Sequence, residues 1–185
     1  ICTGANISTW LSLLIQLAFV WIVVWISFYP VSDSAWILNL SACIKLLLAA
    51  GIGVLGIYTA VTKGVANEYT VRSLLPSFDL NSLSYNFLGF EVICTYAPTM
   101  QNPKKQIPQA IITGGIVIAL IYIFSAFGIG VAIPTSEIST SSGLIDSFSL
   151  LLSGAGGLAG TVLIIVGVLF LLTLFGNMIS WSFGV

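Results

Sequence analysis

The chain has 185 residues, 58% hydrophobic and only 6% charged, with five basic and six acidic side chains, no histidine and a formal net charge of −1. A water-soluble domain carries about 25% charged residues, so these few charges cannot cover a globule in water, although they can decorate the loops of a bundle whose outer surface faces lipid. The balance of charge excludes a basic face for nucleic acid, and the missing histidine removes most catalytic triads and many metal sites.

The mean hydropathy of +1.11 points the same way. A membrane-spanning helix needs about 20 mostly apolar residues to cross roughly 30 Å of hydrocarbon. The first such run covers residues 7–29 and is closed by Pro30, with Trp10 and Trp25 near its ends, where interfacial rings tend to sit. No Lys or Arg precedes it, so the pattern of a signal peptide is absent. The second run covers 36–61 and holds Gly51, Gly53 and Gly56, small residues that suit close helix packing. It also carries Lys45 within an apolar stretch. A polar connection follows from Thr62 to about Leu80, with Lys63, Glu68, Arg72 and Asp79.

The third run, 80–100, is the least hydrophobic: Asn81, Ser82, Ser84, Tyr85 and Asn86 lead to Gly89, Glu91 and Pro98. The fourth covers 108–133, with Pro108 expected in the first helical turn, where a missing N–H costs nothing, and Pro134 at its end. A Ser/Thr-rich loop with Glu137 and Asp146 follows, then a glycine-broken stretch, then a fifth run over 161–185 containing Asn177, Ser180 and Trp181. The sequence therefore predicts an all-α membrane protein, a multi-pass helical bundle in one transmembrane domain. Because it starts at Ile1 and ends at Val185 inside an apolar run, it reads as an internal fragment. Positive charge favours the cytoplasmic side. The Lys104–Lys105 pair thus places the 101–107 loop in the cytoplasm and the acidic 135–146 loop outside, while Lys63 and Arg72 in the other outer loop run against the rule. Cys2, Cys43 and Cys94 have no metal-ligand spacing and read as small hydrophobes. No metal or cofactor is expected.

Glu91 lies near the middle of the third run, beside Gly89. An acid at bilayer depth costs about 2.5–3.5 kcal/mol on insertion scales, so it faces protein or a water-filled cavity. Glycine and polar neighbours let a helix open there, and opened backbone offers carbonyl and N–H groups to a polar solute, which is how transporters build midplane sites. The plainer alternative is a hydrogen-bonded structural Glu in a kinked helix. Lys45 has a similar pair of readings: its stem can carry the ammonium to an interface, or it can act inside the bundle.

The stretch Tyr85-Asn86-Phe87-Leu88-Gly89-Phe90-Glu91, followed by Gln101-Asn102-Pro103-Lys104-Lys105-Gln106-Ile107-Pro108-Gln109-Ala110-Ile111, resembles the sixth helix and following loop of amino acid permeases of the amino acid–polyamine–organocation superfamily. The family pattern is an aromatic-rich G-F-E or G-x-E and then N-P-x-x-x-I-P-x-A-I. The resemblance implies a partial LeuT-like fold covering helices four to eight, with a discontinuous helix six. It implies that Tyr85, Asn86, Phe87, Leu88, Gly89 and Phe90 border the substrate at the break, with Trp181 of helix eight beside them. It implies a gating role for Glu91 and, by likeness to proton-coupled relatives, proton coupling for Lys45, since an ammonium held away from water gives up its proton more readily. The glycine-rich break of helix one, which binds the substrate carboxylate in the family, lies outside this sequence.

The expected function is secondary transport of amino acids by alternating access, proton-coupled or by exchange, in the plasma membrane and without enzymatic activity. The expected partners are the amino acid substrate, a proton, the lipid bilayer and the missing helices of the parent transporter. The alternative is a non-transporting membrane scaffold or subunit. A membrane enzyme using Glu91 and Asp146 as an acid–base pair is disfavoured, because one is expected at the midplane and the other in an outer loop.

Overall fold

A computed structural model describes residues 8–29, 31–67, 89–138, 143–153, 157 and 159–184, and among these the secondary structure is entirely helical. Helix α1 is Thr9–Ser27, α2 is Val31–Lys63, a 3-10 helix covers Phe90–Thr99, α3 is Pro103–Ala132, a short 3-10 turn covers Thr135–Glu137, α4 is Gly143–Leu152 and α5 is Ala159–Gly184. Four of these segments are long and apolar enough to cross a membrane: Thr9–Ser27, Ala35–Lys63, Pro103–Ala132 and Ala159–Phe183. The chain is an all-α, multi-pass integral membrane protein. Of the weakly apolar third run, the described part is the 3-10 helix, and residues 80–88 lie outside the described residues.

The helix ends follow from local chemistry. Ser8 caps α1, its Oγ accepting the Leu11 N–H at 3.4 Å. Helix α2 has 33 residues. At 1.5 Å per residue it reaches roughly 50 Å, well beyond the hydrocarbon thickness, so its ends enter the headgroup region. Helix α3 begins at Pro103 rather than at Pro108. Pro103 takes the first-turn position and Asn102 precedes it as the cap residue, its N–H donating to Gln106 Oε1 at 3.1 Å. Pro108 is then inside the helix. The carbonyl it leaves without a donor belongs to Lys104, in the first turn and close to water, which makes the position tolerable.

Helices α2 and α3 run side by side with their C-terminal ends together, and they cross where side chains are missing. A Cβ on Gly56 would collide with the Gly128 carbonyl, one on Gly128 with the Gly53 backbone, and one on Gly53 with the Phe124 ring. Small residues let backbones meet in this way. Gly51, two residues before Gly53, has open space around it and plays no part. Helix α5 packs on the other side of α2. Ser41 fits into the space at Gly176 and donates to the Thr173 carbonyl at 3.3 Å. Helix α1 lies along α5, with Phe19 and Phe175 edge to face at 5.5 Å and the Ser27 hydroxyl bonded to that of Ser182 at 2.8 Å.

The core gathers Ile44, Leu48 and Ile52 of α2, Ile133, Val166 of α5, and Phe148, Leu151 and Leu152 of α4. The stretch around Asp146 is therefore not a polar loop throughout. Leu144, Phe148, Leu151 and Leu152 recur at helical spacing, and burying that face folds Gly143–Leu152 into an amphipathic helix. Outside the core, α1 exposes Trp10, Trp21 and Trp25, as expected of a surface that meets lipid and its interfaces.

Candidate functional site

Gly89 opens the 3-10 helix with φ +103°, a conformation that L side chains rarely adopt. The chain is thus not α-helical at this point. The Gly89 N–H donates to Glu91 Oε2 at 3.0 Å, and the Val92 N–H donates back to the Gly89 carbonyl at 3.1 Å. The carboxylate curls over the N-terminal end of the 3-10 helix, where unpaired N–H groups favour negative charge. Glu91 therefore serves the local turn, and it stays exposed beyond it.

Trp181 stands over this turn: a Cβ placed on Gly89 would lie 3.4 Å from Trp181 Cζ2. A cavity of about 280 Å³ opens beside them, lined by Gly89, Phe90, Tyr122, Asn177, Ser180 and Trp181 among others. Three elements build it. The 3-10 helix supplies Gly89 and Phe90, α3 supplies Ile118 and Tyr122, and α5 presents Asn177 and Trp181 one helical turn apart. The 3-10 helix is tied to α5 by the Tyr96 hydroxyl, which donates to the Ser180 carbonyl at 3.2 Å.

A second, mostly apolar cavity of about 500 Å³ lies between α2 and α3 and includes Lys45, Thr113, Ile118 and Tyr122 in its wall. Ile118 and Tyr122 are common to both cavities. Lys45 joins them from the other side. Its Nζ donates to Asn177 Oδ1 at 3.0 Å, so an ammonium of the second cavity is bonded to an amide of the first. The lysine, though exposed, is thus held by a partner from another helix.

Of the residues singled out in the sequence, Gly89, Phe90 and Trp181 come together around the smaller cavity, with Glu91 at its edge and Lys45 one hydrogen bond away. Tyr85, Asn86, Phe87 and Leu88 lie outside the described residues. Asn177 and Tyr122 were not among the expected site residues. Asn177 carried a usable signal, a lone amide in an apolar run, which at bilayer depth needs a partner just as a charge does. Tyr122 carried only one hydroxyl among apolar neighbours and gave little warning. Among the described residues no group of His, Cys, Asp and Glu could hold a metal ion.

The model of one family, described as amino acid permease, matches residues 3–185. The probable agmatine/putrescine antiporter AguD of Lactococcus lactis subsp. lactis is 62% identical over 98% of this chain and 40% of its own length. The putrescine transporter PotE of Haemophilus influenzae is 29% identical over 59% of this chain and 25% of its own. A glutamate/gamma-aminobutyrate antiporter of Lactococcus lactis subsp. cremoris is 24% identical over 53% of this chain and 20% of its own. The chain thus spans less than half the length of these curated relatives. No solved structure matches it.

Proposed function

This chain belongs to the amino acid permease family, and on that premise we propose that it forms part of a secondary transporter of the plasma membrane that exchanges amino-acid-derived amines. The single observation that carries this reading furthest is the cavity at the Gly89 turn, lined by the rings of Phe90, Tyr122 and Trp181 with the amide of Asn177. Aromatic faces attract cations, by about 2 kcal/mol or more when the pair is desolvated. Agmatine and putrescine, the substrates in the name of a relative that is 62% identical, are both amines without a carboxylate. The described part of the site offers such a molecule rings and polar groups.

One-for-one exchange of two such dications moves no net charge and needs no coupling ion. Glu91, whose carboxylate closes on the Gly89 N–H, holds the turn in shape and gates access to it. Tyr85, Asn86, Phe87 and Leu88 continue the same substrate-contacting segment in this reading. The parallel run of α2 and α3 requires one return crossing between them, which supports a span over 80–100 and five crossings in all. Residues 101–107, which the structure makes the entry and first turn of α3, are cytoplasmic in this arrangement.

The Lys45–Asn177 bond favours a second reading, proton-coupled uptake with Lys45 as the coupling group. Liposomes carrying the intact transporter separate the two. Labelled agmatine, putrescine and a panel of amino acids are offered with unlabelled amine inside, or with a pH gradient alone. Uptake that needs internal amine supports exchange. Uptake driven by the pH gradient and lost in Lys45→Ala supports coupling. Uptake of neither class sinks the transport reading.

A further inference from the structure

Helix α3 borders two cavities, and the residues that divide them follow from its pitch. At 3.6 residues per turn, Thr113, Gly114, Val117 and Ile121 fall on one side of the helix, and they line the larger cavity toward α2. Gly115 falls on the other side, where a Cβ would lie 3.9 Å from the Phe90 ring. Ile118 and Tyr122 stand between these two sides, one turn apart, and they line both cavities. They form a ridge. The opposite margin is the Lys45–Asn177 bond of 3.0 Å, which joins a residue of the larger cavity to one of the smaller. Among the described residues, the ridge and this bond stand between the two spaces.

The two spaces differ in chemistry. The smaller holds the Phe90 and Trp181 rings and the Asn177 amide, which suit a cation. The larger is walled by apolar side chains such as Leu46, Ala49, Val117 and Ile121, and the Thr113 hydroxyl is already spent on the Gln109 carbonyl at 2.7 Å. Lys45 is the one charged residue of its described lining. Such a space favours an apolar group and disfavours a second cation, because like charges repel more strongly where water is scarce. We propose that Tyr122, with Ile118, determines how long an amine the site accepts, and that the cavity behind this ridge takes apolar extensions while Lys45 closes it to cationic ones. The proposal rests on the amine-exchange reading above and adds to it a rule for length and a rule for charge.

The test is displacement of labelled putrescine from the purified intact transporter by two probes, N-butylputrescine and spermidine. Both extend putrescine by an arm of the same length, which ends in a methyl group in the first and in an ammonium in the second. The parent is expected to bind putrescine and to reject both probes. Each variant is read as the ratio of probe to putrescine affinity, so that loss of the Tyr122 ring, which weakens every amine, cancels. Tyr122→Ala is expected to raise this ratio for N-butylputrescine by about tenfold or more, as burial of an alkyl arm does, with spermidine at least about tenfold behind. Adding Lys45→Met is expected to narrow that gap about fivefold. Should Tyr122→Ala fail to accumulate, Ile118→Ala lowers the same ridge, keeps every ring and is read the same way with a smaller gain. Val117→Ala enlarges the second cavity but leaves the ridge whole, and it is expected to go on rejecting N-butylputrescine. A parent that takes N-butylputrescine as readily as putrescine overturns the proposal. So do ridge variants that still reject it, an equal gain in Val117→Ala, or a gain for spermidine as large as that for N-butylputrescine. These outcomes leave the amine reading standing, whereas a parent that binds no putrescine strikes that reading and the proposal with it.

Discussion

Glycine does opposite work at two places in this molecule. Between α2 and α3, Gly56 and Gly128 remove side chains so that two helices touch, and their value lies in the space they do not fill. At the cavity, Gly89 has ordinary room for a methyl group, and its value lies in a backbone angle of +103°. The first region is a tight, fixed contact; the second is a turn beside an open volume. A helical bundle can carry a site only if some interfaces stay closed while another is held apart, and here the same residue type serves both ends.

The sharpest way to break that comparison is to add bulk. Gly128→Leu is expected to destabilise the protein by about 3 kcal/mol, the upper range for overpacking, because the new side chain meets backbone that cannot move aside. Gly51→Leu should stay within about 0.5 kcal/mol, as a surface change does. Thermal unfolding in detergent compares the two, and equal losses would mean that the crossing is not specific. Next, Trp181→Leu should weaken amine binding by about 2 kcal/mol, roughly thirtyfold, while Trp181→Phe keeps most of it. Binding of labelled agmatine to purified protein reads this directly.

Gly89→Ala should cost about 1–2 kcal/mol through its backbone angle alone. It should slow exchange with little change in expression, since the methyl group meets only ordinary contact with Trp181. The smallest effect concerns the polar link between the cavities. A double-mutant cycle of Lys45→Met and Asn177→Leu should give a coupling of about 0.6 kcal/mol, typical of polar pairs inside membranes. A coupling of zero would separate Lys45 from the site.

Much of this arrangement was legible in the amino-acid order. Long apolar runs and their prolines mark the spanning helices, because an α-helix of that length satisfies its own backbone in lipid. Glycine beside glutamate marks the turn at Gly89–Glu91. Two features were hidden for physical reasons. Leu144, Phe148, Leu151 and Leu152 form a short amphipathic helix that is stable only against α2 and α5, so its local sequence reads as loop. Asn67 looks like an ordinary loop residue, and the bond its amide gives the Gly130 carbonyl at 2.8 Å appears only because Pro134, far along the chain, leaves that carbonyl without a helical donor. The partner of Lys45 was similarly nonlocal, since Asn177 reaches it only through the packing of α5 on α2.

The central claim is that the turn at Gly89 and the rings around it belong to an exchanger of amines. Counterflow in liposomes tests it most directly: the intact transporter is reconstituted, loaded with unlabelled agmatine and given labelled putrescine outside. The account predicts rapid accumulation of label that disappears when the liposomes are empty and falls sharply in Trp181→Leu. Accumulation that is independent of the internal amine, or unchanged in Trp181→Leu, would contradict it.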